Sequence, residues 1–141
     1  MVEKILVAYD GSPKGHEAFE FALQLAAAVC HPKPEVTVLS VAQPPEPIDI
    51  VEMDAVIDAA TEHYRVLFQD LRKQAEGKGI QIKAEIRVGH PADQIVRYAE
   101  ENGTDLIIMG QRGKSKIESW LVGSVSKRVI SYAHCAVTIV K

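Results

Sequence analysis

Ile5-Leu6-Val7-Ala8-Tyr9, followed at once by Asp10-Gly11-Ser12-Pro13, is the stretch on which the fold turns. Five apolar residues in a row, without alternation, predict a strand buried on both faces, as in a parallel sheet covered by helices. Ser12 then suits a helix N-cap, and Pro13 the first helical position, where its missing N–H costs nothing. Ala18, Phe21, Ala22, Leu25, Ala28 and Val29 recur at helical spacing. His31-Pro32-Lys33-Pro34 stops that helix, because proline cannot continue one.

The same alternation runs outward along the chain. Val36 to Val41 reads as a second strand, and Pro44, Pro45 and Pro47 as a stiff loop inside one domain. A long helix follows, with Met53, Val56, Ala60, Tyr64, Leu67 and Leu71 on one stripe and Gly77-Lys78-Gly79 as its end. Its charges (Glu62, Arg65, Asp70, Arg72, Lys73, Glu76) form a solvated face. Ile80 to Val88 alternates apolar with charged residues, so this third strand has one wet face and belongs at a sheet edge. Pro91 opens a third helix, with Ala92, Ile95, Val96 and Ala99 inward and Asn102-Gly103 as the stop. Leu106 to Met109, ending in Gly110, is a short buried strand. Gly123-Ser124 begins the last helix, carrying Val125, Val129 and Ala133, and Ala136 to Val140 is the last strand. Five strands alternating with four helices predict an α/β fold: a doubly wound parallel sheet, order 3-2-1-4-5, with helices on both faces.

Composition narrows the class. A chain of 141 residues is one domain in length, here 1–141, and 47% hydrophobic with 25% charged residues is ordinary globular composition. Sixteen basic against nineteen acidic residues give a net charge of −3, which speaks against a nucleic-acid binder. The longest apolar run falls far short of the ~20 residues of a membrane helix. Met1-Val2-Glu3-Lys4 leads straight into the first strand, so no signal peptide and a cytoplasmic location are expected. Cys30 and Cys135 make no C-x-x-C pair and are expected to be free and largely buried. His16, His31, His63, His90 and His134 show no metal-site spacing.

Open parallel sheets bind ligands beyond the carboxyl ends of their strands, where strand order reverses. In the order 3-2-1-4-5 that point lies between strands 1 and 4, just past which stand Asp10-Gly11 and Gly110. The loop after strand 4 spaces its glycines as G-x2-G-x9-G-S, at Gly110, Gly113 and Gly123-Ser124. Glycine lets backbone N–H groups approach an anion, and a helix start favours phosphate. Ser124 and Ser126 add hydroxyls, and Arg112, Lys114 and Lys116 add positive charge. The same glycines also serve as plain loop ends and a helix cap, and Asp10-Gly11 as a plain turn.

Three segments together resemble the universal stress protein family: Ile5 to Ser12, Val88-Gly89-His90-Pro91-Ala92, and Thr104 to Gly110. The glycine spacing is similar to that of the family's ATP-binding branch. The likeness covers essentially the whole chain. It implies a homodimer and an adenine nucleotide, ATP above all, with magnesium or manganese. By that resemblance Gly110, Gly113, Gly123 and Ser124 hold the phosphates, with Arg112, Val125 and Ser126 close by. By the same resemblance Asp10 lies near the ribose and phosphates, in indirect contact with a metal. Val41 meets the adenine through its backbone, and Ala8 and Met109 line the pocket. Gln111, Glu118 and Trp120 depart from the family's usual residues.

The last strand carries no charge until Lys141, and an apolar open edge invites pairing. A dimer through residues 136–140 around a two-fold axis is therefore expected. No nucleophile-and-base set, Walker motif or G-x-S-x-G elbow is present. Strand 3 ends in Val88-Gly89-His90, without the aspartate a two-component receiver needs. The loop after strand 1 also departs from the serine-glycine-glycine loop of the nucleotide alpha-hydrolases. Two readings remain. One is a nucleotide-binding sensor or adaptor, at most a slow ATPase, that acts on a regulatory protein partner. The other is a nucleotide-independent dimeric interaction module.

Overall fold

A computed structural model describes residues 2–29, 32–44, 50–111 and 123–141. The elements are β1 (Lys4–Ala8), α1 (Pro13–Ala28), β2 (Glu35–Ala42), α2 (Ile50–Glu76), β3 (Ile82–Val88), α3 (Pro91–Asn102), β4 (Leu106–Gly110), α4 (Gly123–Tyr132) and β5 (Ala136–Val140). The five strands form one parallel sheet in the order β3-β2-β1-β4-β5. This is the expected doubly wound α/β fold.

Strand β1 explains the arrangement. Ile5, Val7 and Tyr9 pack with Phe19, Leu23, Tyr64, Phe68 and Leu71 of α1 and α2. Leu6 and Ala8 face the other way, among Ile95 and Tyr98 of α3 and Val125 and Val129 of α4. Each side of β1 thus lies under its own helix pair, so past the exposed Lys4 the strand has no position for a polar residue. At its start, Asp105 Oδ2 accepts the N–H groups of Glu3 and Lys4, both at 2.9 Å, tying β1 to the turn before β4. These two bonds, Glu3 first, hold the Asp105 carboxyl below its ordinary value.

The start of α1 matches expectation: Ser12 is the N-cap, and its Oγ accepts the Gly15 N–H at 3.0 Å. The inward stripe does not match. Gly15, Ala18, Phe19, Ala22, Leu23 and Ala26 are buried, whereas Phe21 is 40% exposed. Apolar residues occupy so much of 18–29 that several phases of the 3.6-residue period fit them, and contact with β1 and β4 selects one. In α2 the core contacts are Tyr64, Phe68, Leu71 and Ala75, while Met53, Val56 and Ala60 are half-buried. The six charged residues assigned to its solvated face are all exposed.

Strand β3 lies at an edge, as expected, with Lys83 and Glu85 exposed and Ile82, Ala84 and Ile86 half-buried. Val88 departs from the inward set: it ends the strand and is 42% exposed. Ile80 is buried, but it precedes the strand and bonds back to the Ala75 carbonyl at 2.9 Å. Helix α3 stops at Gly103, in the left-handed region at φ 64°. Among the described residues no helix is long and apolar enough to cross a membrane.

Candidate functional site

The strand order reverses between β1 and β4, and the residues beyond their carboxyl ends define the candidate site. Ala8 and Met109 are register partners across that junction, and both are fully buried. Together with Val41 of β2 and Val125 of α4 they belong to one cluster on the α3/α4 side of the sheet. The four apolar residues assigned to the pocket are thus brought together. All four are buried core side chains, so they carry no polar group toward a ligand.

The loop after β1 is held tightly. Asp10 is buried, and its Oδ1 accepts the Ser12 N–H at 2.9 Å, the bond of an Asx turn. Gly11 sits at φ 83°, where a side chain is disfavoured, and a Cβ there would come within 3.1 Å of Leu67 Cδ1. The sequence reading missed Gly15: a Cβ there would lie 3.0 Å from Asp10 Oδ1, so its bareness makes room for the carboxylate. Ser40, also missed, donates from Oγ to the Tyr9 carbonyl at 2.6 Å from a fully buried position.

Tyr9 runs beneath this loop. Its hydroxyl lies 2.8 Å from His16 Nε2. Burial, then the nearby charges of Asp10 and Asp70, push the phenol far above its ordinary value, so it stays neutral.

Gly110 has a packing reason of its own. A Cβ there would overlap the carbonyl of Lys14, coming within 2.6 Å of its carbon. The end of β4 therefore lies directly against the first turn of α1, and only glycine permits that approach. The next N–H, of Gln111, donates to the Val140 carbonyl at 2.8 Å and continues the sheet.

At α4, Gly123 opens the helix, Ser124 is exposed and Val125 is buried. Ser126 Oγ is shielded from solvent and has no hydrogen-bond partner among the described residues. Arg112 and Gly113 lie outside the described residues, as do Lys114, Lys116, Glu118 and Trp120. So do Pro45, Pro47, Cys30 and His31.

Among the described residues no group of three or more His, Cys, Asp or Glu side chains has the arrangement to hold a metal ion. The His63 ring lies tilted by 57° against that of Tyr64, and His134 Nδ1 pairs with Glu100 Oε1 at 3.0 Å. Cys135 is free and half-buried, and burial raises its thiol above the ordinary value. It lines a concavity of about 480 Å³ with Glu100, Thr104 and His134. That hollow lies at the opposite end of the sheet from the switch point.

The family model described as "Universal stress protein family" matches residues 1–141. A universal stress protein of Methanocaldococcus jannaschii is 33% identical over 145 residues, covering 100% of this chain and 83% of the relative. The structure of the universal stress protein UspA from Lactobacillus plantarum superposes with a TM-score of 0.86 at 24% identity, covering 99% of this chain and 98% of that one. A universal stress protein solved in complex with cAMP is 26% identical, with a TM-score of 0.73, covering 99% of this chain and 97% of that one.

Proposed function

Since this chain belongs to the universal stress protein family, we propose that it binds an adenine nucleotide beyond the carboxyl ends of β1 and β4. In this reading it acts as a sensor or adaptor toward a partner protein. The observation that carries the reading is the Ser126 hydroxyl. A shielded donor left without a partner costs about 1–3 kcal/mol, and a ligand oxygen in reach removes that cost. It sits in the first turn of the helix whose start, Gly123-Ser124, favours phosphate. The cAMP complex of a family member supports adenine as the base.

In this reading the residues take the roles that the family resemblance implies. Ala8, Val41, Met109 and Val125 form the apolar floor, with the Val41 backbone at the adenine. Gly110, Gly113, Gly123 and Ser124 flank the phosphates, with Arg112 and Ser126 beside them. Asp10 stands by the ribose and phosphates, and magnesium or manganese brought in with ATP is held through it indirectly. A bound metal of this kind neutralises phosphate charge. In this reading the protein is at most a slow ATPase and serves as a cytoplasmic regulator.

The open edge of β5 supports a homodimer through residues 136–140. This strand pairs with β4 alone among the described residues, and Val137, Thr138, Ile139 and Val140 are half-exposed. The packing of Gly110 against Lys14 favours the second reading, a nucleotide-independent dimeric module, because that glycine is required by the fold itself.

Ser126→Ala separates the two. Removing a hydroxyl that has no partner among the described residues leaves the free protein as stable or slightly more stable. If the hydroxyl meets the nucleotide, the same change weakens ATP binding about ten-fold, the loss of one hydrogen bond to a charged group. ATP affinity unchanged in Ser126→Ala, by calorimetry, removes this support.

A further inference from the structure

We infer that Arg128, with His90 and Asp93, forms a latch across the nucleotide site that holds the phosphate side in register with the base side. The inference rests on the nucleotide-binding reading and assigns Arg128 the part of a positioning residue.

His90 is the N-cap of α3, yet its side chain makes no capping bond. Its Nε2 instead lies 3.3 Å from Arg128 Nη1 on α4. Arg128 Nη2 donates to Asp93 Oδ1 at 3.2 Å, in the first turn of α3. One guanidinium thus spans two residues at the start of a neighbouring helix, a use that suits its planar fork.

Each end of the latch belongs to a different side of the proposed site. The peptide before His90 is fixed to β2: the Gly89 N–H donates to the Ala42 carbonyl at 3.0 Å, next to Val41, where the adenine is expected. Gly89 adopts φ 143°, which favours glycine and keeps this corner tight. At the other end, Arg128 lies one turn along α4 from Ser124, where the phosphates are expected. Beneath them Val125 and Val129 pack with Ala92 and Ile95, so α3 and α4 already touch. The apolar contact fixes their separation, whereas the guanidinium fixes their sliding and rotation.

Energetics separates this role from a merely structural one. The Arg128 and Asp93 side chains are 46% and 54% exposed. An exposed pair of this kind adds little to global stability. Its removal acts on alignment and is felt by a ligand that touches both sides at once.

The test uses the full chain and two probes, ATP and adenosine, titrated calorimetrically. In Arg128→Ala, ATP binding is expected to weaken about three- to five-fold, the range of an exposed pair. Adenosine affinity is expected to stay constant, because adenosine engages the base side alone. Arg128→Lys recovers part of the loss, since an ammonium reaches one partner but lacks the fork. Asp93→Asn combined with Arg128→Ala loses less than the sum of the two single changes, as for residues in one network. Thermal unfolding of the nucleotide-free variants stays close to that of the parent. Equal weakening of ATP and adenosine, or no weakening of either, overturns the latch while leaving nucleotide binding standing. Failure of the unaltered protein to bind ATP overturns both.

Discussion

Glycines 103 and 110 look alike in the sequence and do opposite work. At Gly103 a Cβ would meet nothing within 4 Å, but the backbone holds φ 64°. Gly103→Ala is therefore a conformational test, expected to cost about 1 kcal/mol, the ordinary penalty of the left-handed region. At Gly110 the obstacle is the Lys14 carbonyl. Gly110→Ala must push β4 from α1, and a loss of about 1–3 kcal/mol is expected, as for overpacked cores. Urea unfolding of both variants checks the pair; a Gly110→Ala protein as stable as its parent would remove the packing account. Asp105 gives a pH signature. Its carboxyl is depressed in the folded state by the Glu3 and Lys4 N–H groups, so its contribution is present above the unfolded value and lost as pH falls below about 4. Asp105→Asn is expected to flatten the fall of stability in that acid range, measured by urea midpoints at neutral pH and on either side of pH 4.

Among the elements, α1 shows what the sequence could and could not convey. Its beginning was legible because capping is local: Ser12 and Pro13 carry their own chemistry, and the Oγ bond to Gly15 follows. Ser12→Ala is expected to cost about 1 kcal/mol, read as a lower thermal midpoint with unchanged far-ultraviolet ellipticity. Its buried face was not legible. Phe19 and Phe21 fit the apolar run equally well, and only the positions of β1 and β4 decide that Phe19 goes inward. The site divides in the same way. Asp10, Gly110 and Gly123 were visible because topology nominates strand ends and helix starts. Gly15, Ser40 and the His90–Arg128 contact were hidden because each answers to a partner far along the chain. The spacing also gave Gly110 a single purpose, where the packing of α1 supplies another.

For the molecule as a whole, the reversal of strand order brings the ends of β1 and β4, the corner before α3 and the start of α4 to one end of the sheet. This end holds the shielded Ser126 hydroxyl and the Arg128 latch. At the side of the sheet, β5 pairs with β4 alone among the described residues, and this is the edge where pairing with a second copy is proposed. Light scattering at micromolar concentration is expected to report a dimer, and introducing a charge at Val137 or Ile139 is expected to shift it toward monomer. A stable monomer of the unaltered protein contradicts pairing through residues 136–140. The central claim, however, is the nucleotide. Its most direct test is thermal unfolding of the full chain with and without millimolar ATP and magnesium. A ligand held by the native state at about one hundred times its dissociation constant adds about 2.7 kcal/mol. For a chain of this length that corresponds to a midpoint raised by roughly 5–10 °C. A rise of that order, growing with ATP concentration, is the predicted result; an unmoved midpoint at millimolar ATP contradicts the account.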